Sequence, residues 1–185
     1  MITILDLTPF EDNINNTIQS LIKVEQKREY LRSSLNKFLS VYETCRQEYD
    51  TDSLEITKIK DIIGCLNKYD LSSQRQFLIS SADELNKRIY QNTPNEVVME
   101  FLYNTSFCFS DILEKAEQMS AMYEDFRRFS EANPRMASAE PNLINAFKVF
   151  RYALVSFKCN CRQNIDDIRI LIEYFSAPTE SPPNF

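Results

Sequence analysis

Two cysteines one residue apart, in the stretch Cys-Asn-Cys at 159–161, are the first residues of this chain whose types could do chemistry. Close thiolates can bind zinc, but a zinc site needs four ligands, usually from two separated Cys or His pairs. The chain has no histidine, and its other three cysteines (Cys45, Cys65 and Cys108) belong to distant stretches. Cys45, Cys108 and Cys161 fall in register with apolar neighbours, where cysteine acts as a small hydrophobic residue. They read as core, and no metal or other cofactor is expected. The adjacent carboxylates Asp166 and Asp167 point in different directions on a helix, so they read as a solvated face, not an acid–base couple. With the commonest general base near neutral pH missing as well, no catalytic set assembles. A non-enzymatic protein is expected.

The clearest chemical signal is electrostatic. Residues 141–165 contain Lys148, Arg151, Lys158 and Arg162 and no acid, in a chain of net charge -6. Arg151, Lys158, Arg162 and Arg169 share one helical direction, about 100° from the apolar stripe of the same segment. Such segregation predicts a docking strip of Lys148, Arg151, Lys158, Arg162 and Arg169 for an acidic protein partner. Internal pairing is the competing reading. It applies most to Lys148 and Arg151, which the arrangement of helices brings near Glu43, Glu48, Asp50, Asp52, Glu124 and Asp125. General nucleic-acid binding is not expected of an acidic chain.

Helices must position these groups. With one glycine, Gly64, in 185 residues, the chain is poorly supplied for hairpins, sandwiches and phosphate-cradling loops. Thr-Pro-Phe-Glu at 8–11 and Thr-Pro-Asn-Glu at 93–96 each spell a capping box with proline at the first helical position. Asp52 with Glu55 and Ser73 with Gln76 make two weaker starts, and Pro141 a fifth. No proline falls between 10 and 93 or between 95 and 133, as long helix interiors require. Helices are predicted near 9–50, 53–69, 73–92, 94–132 and 141–176.

Apolar positions recur at spacings of three and four. They run from Phe10 to Tyr49 in the first helix, from Val98 to Phe129 in the fourth and from Leu143 to Phe175 in the fifth. Seams of this length mean rods at shallow crossing angles. The second and third helices are each about half as long and together make one more rod, interrupted at 69–73. The predicted fold is all-α: an elongated antiparallel bundle of four rods, five helices in all, with the second rod broken. Residues 1–177 form a single domain, with 1–8 as a short N-terminal arm and 178–185 as a flexible tail. Two charges interrupt the seams, Arg28 and Lys115, at about the height of the break. Either they meet carbonyls freed by the break, with Asp70, or they extend beside the seam to water.

The first ten residues lack the pattern of a secretory signal, and no apolar run reaches membrane-spanning length. With five cysteines in no disulfide-like framework, a cytoplasmic setting is expected. The functional expectation is an adaptor or scaffold that binds protein partners and forms homodimers. Tyr30, Phe77, Tyr90, Tyr103, Phe107 and Tyr152 are its candidate surface anchors. A bundle acting at the membrane surface through the fifth helix is the alternative.

Overall fold

The computed structural model describes residues 8–45, 53–90, 93–132 and 141–177. They form five helices: α1 (Thr8–Cys45), α2 (Ser53–Lys68), α3 (Ser72–Tyr90), α4 (Asn95–Ala132) and α5 (Pro141–Ser176). Among the described residues there is no strand. α1 and α4 have 38 residues and α5 has 36, so each rod is roughly 55 Å long. α5 lies along both α1 and α4, while α2 and α3 bridge the same two rods from the other side. Among the described residues the backbone of α5 is adjacent to neither α2 nor α3, and that of α1 is not adjacent to α4. This is the four-cornered, up-down-up-down bundle expected from the sequence.

The stripe of α5 predicted from periodicity is the observed one. Leu143, Phe147, Phe150, Leu154, Phe157, Cys161, Asn164, Ile168 and Leu171 are all buried. On α4 the centre of the stripe runs instead through Val98, Leu102, Thr105, Phe109, Ile112, Ala116, Met119, Tyr123 and Phe126. Phe101, Cys108, Met122 and Phe129, which the sequence places on the seam, are half-buried flank residues. The shift follows from the two different neighbours of α4, which together broaden its buried face. Lys115 is therefore on a flank and pairs with Asp111, one turn earlier on its own helix, at 2.8 Å.

Among the described residues Thr17 and Asn164 are polar groups sealed inside the α1–α5 seam. Asn164 is fully buried, and the two N–H groups of its Nδ2 are shared among three acceptors, the Asn13 carbonyl (3.2 Å), the Asn160 carbonyl (2.8 Å) and Thr17 Oγ1, while its Oδ1 has no protein partner. Nearby, Asn13 Nδ2 donates to Asp167 at 2.6 Å. Asp167 is thus a tie between α1 and α5, not a free solvated carboxylate. Sliding α5 by one turn would strand the Asn164 amide among apolar side chains, a penalty of about 1–3 kcal/mol. The seam consequently has one preferred register.

The break in the second rod covers Tyr69–Leu71. Leu71 is buried in the common core, and Asp70 Oδ1 accepts from the Ser72 backbone N–H at 3.0 Å. Asp70 therefore caps α3, the role that the sequence reading gives to Ser73. These hydrogen bonds to Ser72 hold its carboxyl below the usual carboxylate range, with Arg28 adding to the effect. Arg28 also donates to the Tyr69 carbonyl, a group left without an intrahelical partner where α2 ends. Of the two cations expected at the break, Arg28 meets it directly. Lys115 reaches it only through Asp111, which accepts from Gln74 at 3.3 Å. α4 begins at Asn95, where the Pro94 carbonyl accepts from Val97 and Val98. The start thus falls one residue beyond the expected proline. Residues 1–7 of the arm, the tail, Asp52 and the side chain of Glu55 lie outside the described residues.

Burial sets the expected response to substitution. Phe157 is 0% exposed and Phe107 is 77% exposed. Phe157→Ala should cost about 3–5 kcal/mol of unfolding free energy in urea titrations. Phe107→Ala should change it by less than about 0.5 kcal/mol.

Candidate functional site: the groove between α4 and α5

The predicted basic strip lies on the shoulder of α5 that faces α4, because Arg151, Lys158 and Arg162 follow one another at spacings of seven and four on the flank of the buried stripe. α4 runs antiparallel and presents carboxylates at matching heights. Glu117 receives both Lys158 (3.0 Å) and Arg162 (2.6 Å), and Glu124 faces Arg151 at 3.8 Å. The Arg151 guanidinium also sits over the Tyr123 ring, 5.3 Å from its centre. Arg169 pairs within α5, with Asp166 at 3.3 Å. Internal pairing thus extends down the strip to Lys158, Arg162 and Arg169, beyond the residues for which the sequence favours it. Two cations share Glu117, so the edge keeps positive charge. Glu43, Glu48, Asp50 and Asp52, its other expected acids, lie outside the described side chains.

Beside the strip the two helices part into a groove that sequence patterning does not signal. Its upper portion is a cavity of about 360 Å³ lined by Tyr123, Phe126, Ile144 and Phe147, with Arg127, Ser130, Glu131 and Lys148 around its edge. The floor is made by Phe126 and Phe147, whose rings stack at 3.6 Å between centres and 9° between planes. Arg127 is held between Glu124 (2.9 Å) and Glu131 (2.7 Å). The hydrogen bond from Arg127 keeps the Glu124 carboxyl below its usual range. A second recess of about 200 Å³ continues the groove past Tyr123 to Ser120, Arg151, Leu154, Val155 and Lys158. The whole is an aromatic trough with cations along its α5 edge. Lys148, the strip residue nearest the upper cavity, is exposed.

No protein-family model, curated protein or solved structure matches this chain, so these side chains carry the functional reading. Phe126 and Phe147 are legible in the sequence as seam residues. Tyr123 and Ile144 are not, and the cavity depends on ring stacking that no spacing rule reports. Of the proposed anchors, Tyr30, Phe77, Tyr103, Phe107 and Tyr152 are exposed, from 37% for Phe77 to 77% for Phe107. The side chain of Tyr90 lies outside the described residues. No described helix is long and apolar enough to cross a membrane.

Among the described residues no group of three or more Cys, Asp or Glu is placed to hold a metal ion. Burial pushes the Cys161 thiol up to about 12 and the Cys108 thiol up to about 11. Both remain protonated near neutral pH and are poor nucleophiles. Cys159, by contrast, is exposed. Maleimide labelling of dilute, sub-micromolar protein at pH 7 with peptide mapping should modify Cys159 within minutes and leave Cys161 unmodified until urea unfolds the chain. Labelling of Cys161 in the native protein would show that the α5 seam opens readily.

Proposed function

We propose that this protein is a non-enzymatic interaction bundle whose α4–α5 groove takes an acidic, amphipathic segment of a protein partner. The observation that carries this reading is an aromatic cavity of about 360 Å³ with Lys148 on its α5 side, continued by a recess of about 200 Å³ that Arg151 lines. A cavity of this size takes one or two large apolar side chains. Cations beside it would orient a helix bearing carboxylates one turn from its apolar anchors. The groove is built on two long helices, α4 and α5, and not on loops, which limits the ordering entropy that opposes docking.

An anionic membrane suits the groove less well. A flat surface calls for unpaired cations on a convex face, whereas Arg151, Lys158, Arg162 and Arg169 all have carboxylates within 2.6–3.8 Å. The apolar lining is recessed in the groove, where a lipid surface does not reach.

Affinity capture from extract of the source cell tests the reading with three baits: wild type, Ile144→Lys and Lys148→Glu/Arg151→Glu. Circular dichroism establishes that each variant is folded. The proposal expects a partner held by the wild type and reduced at least tenfold by both variants, and a tryptic footprint placing an acidic segment of that partner against α4 and α5. Equal capture by all three baits would remove the groove as the docking site.

A further inference from the structure

α5 has a second periodic face, opposite its buried stripe. Lys148, Tyr152, Val155, Cys159, Arg162, Asp166, Ile170 and Glu173 follow one another at spacings of four, three, four, three, four, four and three, and all are exposed. Tyr152 is 73% exposed, Ile170 63% and Val155 48%. A helix at the corner of a monomeric bundle needs only one apolar face. Two large apolar residues at the ends of a heptad-like ridge are the pattern of a helix that packs against another helix.

The charges along α5 indicate what that other helix is. The basic half, 141–165, holds four cations and no acid, whereas 166–176 holds Asp166, Asp167 and Glu173 against Arg169 alone. A parallel copy would set Lys148 on Lys148 and Glu173 on Glu173. An antiparallel copy sets the basic half on the acidic half. One register serves both kinds of contact: Lys148 lies one turn before Tyr152, and Glu173 lies one turn after Ile170. Aligning Tyr152 of one chain with Ile170 of the other therefore also brings Lys148 to Glu173, twice by symmetry. Arg162, close to the two-fold axis, is paired with Glu117 at 2.6 Å, a carboxylate it shares with Lys158. The exposed aromatics of α4 are unsuited to self-pairing, because Tyr103 and Phe107 are accompanied by the exposed acids Glu96, Glu100 and Glu114.

We infer that the outer face of α5 is an isologous interface for a second copy of this chain, its two α5 helices antiparallel and Tyr152 packed on Ile170 of the other copy. The apolar contacts of the inference, Tyr152 and Ile170, do not line the α4–α5 groove, although Lys148 and Val155 of the same ridge do. Such interfaces are self-complementary and close at two copies.

Sedimentation across roughly 1–100 µM tests it with the intact chain. The wild type should approach twice its 21.7 kDa chain mass. Tyr152→Glu/Ile170→Glu should sediment as a monomer of unchanged helicity, and Phe107→Glu should remain dimeric. Lys148→Glu and Glu173→Lys should each weaken dimerisation at least tenfold, and their combination should restore it. A bismaleimide should join two chains through Cys159 and fail with Cys159→Ser. A wild type that stays monomeric throughout this range would overturn the interface. Failure of the combined charge variant to recover would overturn its antiparallel arrangement. Loss of groove binding in a folded variant that still dimerises would bear on the proposed function alone.

Discussion

α5 has to fill two interfaces at once, one with α1 and one with α4, along nearly the whole of its length. A helix can do this only if a broad stripe stays apolar while both shoulders carry groups that match two different neighbours. In this chain the α1 shoulder is amide-rich, with Asn160, Asn164 and Asp167 meeting Asn13, Asn16 and Thr17. The α4 shoulder is cationic, meeting Glu117 and Glu124. The two chemistries are not interchangeable, so rotation of α5 about its axis or a slip along it mismatches both sides together. The positions of the groove, the strip and the outer ridge are all consequences of where α5 sits.

The second rod is attached differently. α2 and α3 have 16 and 19 residues, and each is near the length at which a helix depends on packing for its stability. Their junction is built, not loose: Leu71 is buried, Asp70 caps α3 and Arg28 satisfies the Tyr69 carbonyl. Below the junction Arg75 pairs with Glu25 of α1 at 2.6 Å. These contacts fix the angle between the two short helices, but apart from Leu71 they are polar and partly exposed. They contribute less to stability than the continuous apolar packing of α5.

Much of this architecture is legible in the sequence because helix chemistry is local. Prolines and caps mark the helix starts, and the stripe of α5 is read correctly from Leu143 to Leu171. α4 is harder. Its seam is read one shoulder away from the true centre because residues that face α3 are apolar too, which also makes Lys115 look like an interruption. Asp70 is overlooked as a cap since its role depends on where α2 stops. The pairing of Glu117 with residues 41 and 45 positions later depends on the height at which α5 turns back along α4, which periodicity does not report. The aromatic cavity is less legible still, as it exists only once Phe126 and Phe147 have stacked.

The central claim is that α5, with the faces of α1 and α4 against it, forms the most stable part of the bundle and that the second rod is added to it. Native-state hydrogen exchange by mass spectrometry, read helix by helix at low urea, tests this most directly. Amides of α5 and of the facing stretches of α1 and α4 should exchange last, through global unfolding. Those of α2 and α3 should exchange earlier, with opening centred on residues 66–75. Protection of α2 and α3 equal to that of α5, or exchange of α5 before them, would contradict the account.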